Sequence, residues 1–291
     1  MEKKTIYALG FFDGVHLGHQ ALLTACGQLA REYGCDAGAV TFDTHPGALV
    51  TRQIPPLINT VEERCRLLMV KQVLVLPFNE ELMHMPWQAF LEELIERGAA
   101  GFVCGDDFRF GYKGEGDSQK LAQFCRERSM PYAVVSEQAV DGVRVSSTHI
   151  RSLIEAGDME TAAKFLGHPH ILSGTVVQGR QLGRTIGIPT ANLLIPQEVV
   201  VPRLGVYACG CLVDGKEYMA VTNIGSRPTV EGHQVRAESW ILDFDGDLYG
   251  RFIELRFYKF LRPERKFPSL EELRTEILKN GEETRKYFEK F

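Results

Sequence analysis

The sequence predicts two domains, an open doubly wound α/β sheet followed by a small antiparallel β-barrel that ends in helices. In the first half, short β-rich runs alternate with helical patterns, which is the rhythm of parallel βαβ units. From about Ile171 onward, β segments are separated by Gly, Pro and Asp turns instead, which is typical of a barrel. The helix-breaking stretch 167–170 is the expected linker, so the predicted domains are residues 1–170 and 171–291.

Local patterns predict the elements of the first half. The β-rich runs predict strands over 5–12, 37–42, 72–78, 101–105 and 132–137. The first helix is expected over about 17–33. Thr60 and Glu63 form a capping box that opens a second helix, and Pro86 begins a third. Further helices are predicted near 118–128, 147–155 and 159–165.

The barrel prediction rests on β segments of similar length. They cover 171–177, 191–196, 205–213, 217–225, 235–244 and 252–260. Ser269 and Glu272 form another capping box, after which the chain is expected to be helical.

Composition and charge exclude several classes of protein. The chain has 291 residues, of which 44% are apolar and 24% charged, so disorder, collagen and coiled coil are excluded. The net charge of -5 leaves no basic surplus for a nucleic-acid backbone. No apolar run is long enough to span a membrane, so the expected location is the cytoplasm, with no membrane partner. The seven scattered cysteines contain no C-x-x-C pair, and most of them are expected to be buried hydrophobes.

The sharpest motif lies between the first strand and the first helix. It runs from Gly10 to His19 and reads GFFDGVHLGH. A strand-to-helix turn at the carboxyl edge of a parallel sheet is where helix N–H groups bind phosphate. His16 and His19 are expected to face one anion, and Gly18 leaves room for a flat base near the backbone. A pair of surface histidines beside a glycine turn is the alternative.

These residues resemble the H-x-G-H motif of the Rossmann-like nucleotidyltransferase superfamily. The longer string is similar to that of bacterial bifunctional riboflavin kinase/FMN adenylyltransferases, the FAD synthetase family, and the resemblance covers nearly the whole chain. The second signature of that superfamily, S-S-T-x-x-R, is present at 146–151. It implies that Ser147, Thr148 and Arg151 grip a triphosphate. An ordinary N-cap followed by a solvent-facing arginine is the alternative.

A third string, GDDFRFG at 105–111, follows a predicted strand and therefore falls on the same sheet edge. It resembles the flavin-side string of the family. This implies that Asp107 binds the polar edge of the isoalloxazine and that Phe108 forms a wall. A polar loop with packed phenylalanines is the alternative. Thr44 replaces a proline in the family's F-D-P-H-P segment, which weakens the assignment of His45 to the site.

The resemblance implies attack of the FMN phosphate on the α-phosphorus of ATP, with release of pyrophosphate. Such a transfer needs positioning and stabilisation of charge on the phosphorus, and no protein nucleophile. The expected catalytic residues here are His16, His19 and Arg151. The expected ATP-binding residues are Gly10, Phe11, Asp13, Gly18, Ser147 and Thr148. Class I aminoacyl-tRNA synthetases share the histidine motif, but this chain lacks their lysine-rich K-M-S-K-S-like loop.

The second half carries a glycine-rich loop at 179–192 that lacks the G-K-[ST] of a P-loop. Gly179 and Gly183 let backbone amides approach phosphates, and the Thr190 hydroxyl and Asn192 amide oxygen are hard donors suited to magnesium. A plain glycine turn is the alternative. The string resembles the riboflavin kinase G-x-P-T-A-N signature, which implies that Thr190 and Asn192 contact Mg-ATP.

Glu238 is the expected kinase base. Strand alternation places it on the same face as Trp240, Leu242 and Phe244. Burial of a carboxylate among such apolar side chains is energetically unfavourable, which indicates a functional role. An edge-strand glutamate that reaches solvent is the alternative. The resemblance implies that Glu238 takes a proton from the 5′-hydroxyl of the ribityl chain. Trp240 stands where the family commonly has a histidine.

Three further strings resemble family segments. The strings at 223–229 and 243–250 are expected to be mostly structural, the first with a lid as the alternative and the second as a solvated hairpin turn. The string at 261–267 is expected to be a solvated charge run.

These motifs predict a bifunctional enzyme. The barrel is expected to phosphorylate riboflavin to FMN and the α/β half to adenylylate FMN to FAD, with Mg²⁺ as cofactor and ATP, riboflavin and FMN as small-molecule partners. Two alternatives remain open. One is an enzyme in which changes such as Thr44 or Trp240 have silenced one activity, and the other is a non-catalytic flavin-binding regulator.

Overall fold

A computed structural model describes residues 4–47, 54–179, 182–229 and 232–290, which form two compact units. The first unit comprises the described residues up to Pro55 together with Thr60–Ser147. The second comprises Pro56–Asn59 and the residues from Thr148 onward. This grouping places the two helices that follow Ser147 with the barrel, while the functional boundary expected at residue 170 stays a prediction.

The first unit alternates strands and helices, as the sequence predicts. Its strands are β1 Thr5–Leu9, β2 Asp36–Phe42, β3 Gln72–Leu76, β4 Ala99–Gly105 and β5 Tyr132–Val135, and a hairpin of β6 Ala139–Val140 and β7 Val143–Arg144. Its helices are α1 Leu17–Glu32, α2 Val61–Leu67, α3 Glu80–His84, α4 Trp87–Glu96 and α5 Ser118–Glu127. Short 3₁₀ turns cover Asp13–Val15 and Tyr112–Gly114.

The sheet of the first unit is parallel throughout and has the order β3-β2-β1-β4-β5. The chain builds outward from β1 and then returns to build outward from β4 on the other side. Ligands of open α/β sheets bind at the carboxyl ends of the strands beside such a reversal. The turn with the histidine motif follows β1, and the loop with Asp107 and Phe108 follows β4, so both begin at this edge.

Alternating side chains of β1 bury both faces of the sheet. Tyr7 and Leu9 pack in one apolar cluster with Leu91 of α4, whereas Ile6 packs in another with Cys26 of α1. All five side chains are fully or almost fully buried. Because each large apolar side chain contributes roughly 1.5–3 kcal/mol on burial, β1 is a firm support for the turn that follows it.

The second unit is the antiparallel barrel that the sequence predicts. Its strands are β8 His170–Thr175, β9 Ala191–Leu194, β10 Gly205–Val213, β11 Lys216–Thr229, β12 Gly232–Ile241 and β13 Phe252–Arg262. They are ordered β8-β13-β10-β11-β12-β9. The Val177 N–H donates to the Asn192 carbonyl at 2.9 Å and joins the segment after β8 to β9, so the sheet closes almost completely.

Four helices accompany the described part of the barrel: α6 Ser147–Ala156, α7 Met159–Leu166, α8 Leu182–Thr185 and α9 Leu270–Phe288. Ser269 caps α9 by accepting a hydrogen bond from the Glu272 N–H at 3.2 Å. A Cβ added at Gly281 would stand 2.7 Å from Trp240 Cζ3, so α9 lies directly against the barrel.

The segment 223–229, expected to be mostly structural with a lid as the alternative, is part of strand β11, which runs past the predicted strand end at residue 225. In the β11–β12 ladder Asn223 pairs with Glu238 and Gly225 pairs with Arg236. Glycine and proline predict an end of the strand near residue 225, but the ladder continues to Thr229. The cysteines meet expectation more closely, since all seven are free and all but Cys35 and Cys65 are buried. Among the described residues, no helix combines the length and apolar character needed to cross a membrane.

Candidate active sites

The first candidate site begins at the turn between β1 and α1. Phe12 and Val15 adopt left-handed backbone conformations, with φ of 60° and 39°. Such angles are unfavourable for bulky and β-branched residues, and strain of this kind concentrates at functional sites. Both side chains are buried in the core. The core therefore fixes the turn that leads to His16.

Two histidine rings stack on this turn. His16 is the N-cap of α1, and its Nδ1 accepts a hydrogen bond from the His19 N–H at 3.4 Å. The ring centroids lie 3.6 Å apart, with 14° between the planes. A Cβ added at Gly18 would stand 3.2 Å from the His16 ring. The structure thus brings the two histidines together as expected, and the His16 ring occupies part of the space that Gly18 leaves.

The surroundings favour the neutral form of His19. Burial lowers the pKa of His19 well below its usual range, and positive charge on His16 and Arg64 lowers it further. A neutral imidazole offers one N–H donor and one acceptor nitrogen. The pair can therefore hydrogen-bond a phosphate without two like charges on stacked rings.

Ser147 joins the histidine turn, because its Oγ donates to the Asp13 carbonyl at 2.9 Å. The serine signature and the histidine motif, 134 residues apart in sequence, thus meet within the first unit. Thr148 and Arg151 lie on α6 in the second unit, where Arg151 Nη1 donates to Thr148 Oγ1 at 3.4 Å. Their part in binding a triphosphate stays a prediction.

Gly10 and Phe11 form the exit from β1. The Gly10 N–H donates to the Val40 carbonyl at 3.2 Å and so extends the β1–β2 ladder. The Phe11 carbonyl accepts a hydrogen bond from the Thr41 hydroxyl at 2.8 Å. These contacts attach the start of the motif to β2.

Arg64 of α2 is a residue of this site that the sequence did not reveal. Its Nη1 donates to the Phe11 carbonyl at 3.0 Å, and its Nη2 donates to the Phe42 carbonyl at 2.5 Å. The guanidinium carbon lies 4.3 Å from the Phe11 ring centroid, and the side chain is completely buried. The capping box of Thr60 and Glu63 predicts where α2 begins, but it gives no sign that Arg64 reaches two strand ends.

An apolar cavity of about 390 Å³ opens at the same sheet edge. Its walls include Phe42, Phe78, Phe90 and Phe110, with Arg109 and Lys113 as the charged members. Phe108 stacks on Phe110 with the ring centroids 5.6 Å apart, which places Phe108 behind the wall. Asp107 is exposed and pairs with Arg144 at 2.6 Å. Flavin binding by Asp107 and Phe108 stays a prediction.

The second candidate site is a row of side chains across the barrel. Glu238 pairs with Asn192 in the β9–β12 ladder and with Asn223 in the β11–β12 ladder. Paired residues point to the same face of a sheet, so the two amides flank the carboxylate. All three line a cavity of about 330 Å³, together with Trp240. The expected Glu238 and Asn192 are therefore adjacent, and Asn223 joins them from the supposed lid.

Trp240 shares the Glu238 cavity, as alternation predicts, but the alternation ends with β12 at Ile241. Leu242 still packs in the cluster that includes Trp240, whereas Phe244 lines a separate small cavity. Glu238 and Trp240, which lie within the strand, therefore share a face as expected. Phe244, in the turn after the strand, does not share it.

Close packing shapes the glycine-rich loop. A Cβ added at Gly179 would stand 2.6 Å from Asn192 Nδ2, and one added at Gly183 would stand 2.1 Å from the Ile188 carbonyl oxygen. Neither position has room for a side chain, so the two glycines allow the backbone to approach the site. Arg180 and Gln181 of this loop lie outside the described residues.

Thr190 lies between two cavities. It lines the 330 Å³ cavity of Glu238 and also a smaller one of about 90 Å³. The walls of the smaller cavity include Asp245 and Asp247 from the acidic turn, which are exposed as predicted. Thr190 is therefore placed where a molecule in one cavity could meet a molecule in the other.

Residues 263–266 of the string at 261–267 are exposed, as a solvated charge run predicts, but the string also lines the larger cavity through Arg262, Glu264, Arg265 and Phe267. Arg262 Nε donates to Asn280 Oδ1 at 3.1 Å and lies 3.2 Å from Glu276 Oε1, both on α9. Glu264 Oε1 accepts a hydrogen bond from Asn223 Nδ2 at 3.3 Å. These charges are paired by residues distant in sequence, which a local charge pattern cannot show.

Each unit thus holds a site suited to phosphate chemistry. The first sets two imidazoles at a helix N-terminus on the carboxyl edge of a parallel sheet. The second sets hydroxyl, amide and carboxylate oxygens along a cavity. Within the described ranges, no group of three or more His, Cys, Asp or Glu side chains could hold a metal ion. The parallel α/β unit and the antiparallel barrel define the fold class, a two-unit protein with a candidate phosphate-binding site in each unit.

Comparison with known proteins gives the family within that class. The family model for FAD synthetase matches residues 1–149, and the model for riboflavin kinase matches residues 166–288. Three proteins named bifunctional riboflavin kinase/FMN adenylyltransferase are similar along nearly the whole chain. The Listeria monocytogenes protein is 36% identical over 98% of this chain and 93% of its own length. The Bacillus subtilis protein is 34% identical over 99% of this chain and 93% of its own length. The Escherichia coli K12 protein is 36% identical over 97% of this chain and 92% of its own length. The chain belongs to the bifunctional riboflavin kinase/FMN adenylyltransferase family.

A solved structure also matches both units. It comes from Streptococcus pneumoniae and is described as a macrolide-efflux protein. It is 29% identical, with a TM-score of 0.86, and the match covers 98% of this chain and 95% of that one. The fold is therefore shared over nearly the full length.

Proposed function

We propose that the barrel transfers the γ-phosphoryl group of ATP to riboflavin, and that the α/β unit transfers the adenylyl group of ATP to FMN. The activities are those of the family. The observation that carries the assignment of sites is the row Asn192–Glu238–Asn223, which places one carboxylate between two amides inside a cavity. The other activity then falls to the histidine pair of the first unit.

In the kinase step, the 5′-hydroxyl of the ribityl chain attacks the γ-phosphorus. A new O–P bond forms, the bond from the γ-phosphorus to its bridging oxygen breaks, and ADP leaves. Glu238 accepts the proton of the attacking hydroxyl, as a general base must. Asn192 and Asn223 flank that carboxylate, and Glu264 in turn holds Asn223. Their contribution is orientation of the base and substrate.

The two cavities beside Thr190 suggest where the kinase substrates bind. The larger one is lined by apolar groups that include Trp240, Phe267 and Ile277, and we assign it to the isoalloxazine. The smaller one borders the acidic turn and Pro189, and we assign it to the nucleotide. The phosphates of the nucleotide would then lie at Thr190, where the two cavities meet, close to Glu238.

The barrel site has donors that fit Mg²⁺. Thr190 and Asn192 would hold the ion, because hydroxyl and amide oxygens are ligands that it accepts. A side chain at Gly179 would collide with the Asn192 amide, so glycine at this position lets the amide keep its place. When bound, the ion would neutralise charge on the phosphates of ATP.

In the adenylyl transfer, a phosphate oxygen of FMN attacks the α-phosphorus of ATP. The new P–O bond forms as the bond to the pyrophosphate oxygen breaks, so no group on the protein is modified. His16 and His19 would donate hydrogen bonds to the phosphate oxygens, and the N-terminus of α1 would add its own N–H groups. Arg151, as expected from the sequence, would add positive charge.

The aromatic cavity of the first unit is the best place for the FMN ring. Its phenylalanine walls suit a flat, largely apolar heterocycle, and Arg109 and Lys113 suit the FMN phosphate. Phe108 would support the wall through Phe110. The cytoplasmic location expected from the sequence stays a prediction.

Supplying each substrate separately tests the proposed function. The chain is incubated with ATP and magnesium and with either riboflavin or FMN, and the flavins are separated by chromatography. We expect FMN and then FAD from riboflavin, and FAD with pyrophosphate from FMN. Product from only one substrate would support the one-activity alternative, and product from neither would support a flavin-binding regulator.

A further inference from the structure

Arg64 is a buried cation to which the mechanism above assigns no step. Its side chain is completely buried, and its Nε has no hydrogen-bond partner among the described residues. Burial of a guanidinium is costly unless its charge and donors are used. Two of its donors reach main-chain carbonyls, so the position is specific.

Those two carbonyls belong to the two halves of the proposed adenylyltransferase site. Phe11 lies in the turn that leads to His16, and Phe42 ends β2 and lines the aromatic cavity. Arg64 therefore links the phosphate-binding turn to the flavin side of the sheet edge. The planar guanidinium can hold two carbonyls at once, which a lysine ammonium cannot do with the same fixed geometry.

Arg64 also carries charge toward the histidine pair. Positive charge on His16, at the start of the same helix, and on Arg64 of α2 lowers the pKa of His19, in addition to the larger effect of burial. Arg64 itself faces Asp13, Asp43, Glu62 and Cys65. Burial lowers the pKa of Arg64, and these acidic neighbours raise it in part. An arginine remains protonated in proteins, so its charge does not change over the pH range in which histidine titrates.

We propose that Arg64 is a positioning residue of the adenylyl transfer, which ties the Phe11 turn to the end of β2 and sets a permanent positive charge beside the stacked histidines. This inference rests on the proposed function of the first unit. Arg64 acts through the turn and through His19, and it does not need to contact substrate.

The permanent charge has a consequence for the histidines. Burial is the main reason why His19 stays neutral below the pH at which an isolated histidine would be protonated, and the charges of His16 and Arg64 add to that effect. Two stacked rings then do not repel each other. The geometry of the phosphate-binding pair is thereby kept across the neutral pH range.

Variants of the full chain separate the two parts of the proposal. Arg64→Met removes both the charge and the hydrogen bonds. Arg64→Lys keeps the charge but loses the planar guanidinium that donates to both carbonyls. Arg66→Met is the matched control, because Arg66 is an exposed cation on the same helix. For each variant, the titration of the His19 ring is followed by NMR, with the resonance assigned from His19→Gln. The rates of FAD formation from FMN and of FMN formation from riboflavin are measured in parallel.

The proposal predicts a distinct pattern for each readout. In Arg64→Met, His19 should titrate at higher pH than in wild type, and FAD formation should slow by about 10- to 100-fold. Phosphorylation of riboflavin should stay within about twofold. In Arg64→Lys the His19 titration should stay near wild type while FAD formation still slows. Arg66→Met should match wild type in all three.

Two results would overturn the proposal. An unchanged His19 titration in Arg64→Met would contradict the claim that the Arg64 charge acts on His19. A wild-type rate of FAD formation in both Arg64 variants would contradict the claim that Arg64 positions the turn. If Arg64→Met does not fold, Arg64→Lys still decides, because an upward shift of His19 there would contradict a role for the charge. Failure of wild type to make FAD would instead contradict the proposed function, and the NMR comparison would still test Arg64.

Discussion

His170 shows how a single buried side chain can tie the stability of the barrel to pH. It begins β8 beside Phe257, is almost completely buried, and has no hydrogen-bond partner on either ring nitrogen within the described residues. Burial, together with a smaller effect of charge on His168, lowers its pKa to about 3. The folded barrel therefore prefers the neutral ring. The unfolded chain binds more protons between this pKa and the ordinary histidine value, so acid favours unfolding.

The wild-type barrel should lose stability as the pH falls from about 7 toward 4. By linkage, His170 alone should reduce the free energy of unfolding by about 1.4 kcal/mol at pH 5.5 relative to neutral pH. His170→Leu should remove this part of the dependence of the unfolding free energy on pH. Denaturant unfolding is followed by Trp240 fluorescence in a Trp87→Phe background, since the chain has only two tryptophans. An unfolding free energy that falls equally with pH in wild type and in His170→Leu would contradict this role of His170.

At the scale of elements, strand register explains the kinase site better than sequence proximity does. Asn192, Asn223 and Glu238 come from three strands and meet because the ladders place them in one row. Alternation along a strand predicted the face of Glu238. It did not predict that Asn223 joins the site, because the sequence places Asn223 in a strand without showing which strand pairs with it. Register is a tertiary property, so a single strand cannot reveal it.

The glycine-rich loop gives a prediction at this scale. Gly179→Ala places a methyl group against the Asn192 amide, so we expect riboflavin phosphorylation to fall by about tenfold or more through displacement of that amide. FAD formation from FMN should be unchanged. Gly174→Ala is the matched control, because a Cβ there meets only Leu193 at an ordinary 3.7 Å. Equal kinase activity in the two variants would show that Gly179 is not needed for close approach.

At the scale of the whole molecule, the two patterns of hydrophobicity were sufficient to predict both folds. Helical and strand periodicity alternate in the first half, and strands with turns dominate the second. The same patterns could not reveal Arg64 or Arg262, because the partners of each lie on elements distant in sequence. The motifs identified the family, but long-range packing determined which additional side chains lie at each candidate site.

The central claim is that each unit carries a separate active site, and complementary variants test it most directly. Glu238→Gln removes the proposed kinase base, and His16→Ala removes one member of the histidine pair. Glu282→Gln, at an exposed position of α9, is the control for loss of a carboxylate.

The direct measurement is the rate of product formation by both variants from riboflavin and from FMN. We predict that Glu238→Gln loses FMN formation by about 100-fold or more while still converting added FMN to FAD, and that His16→Ala does the reverse. Loss of both activities in either variant, with the protein still folded, would contradict two separate sites.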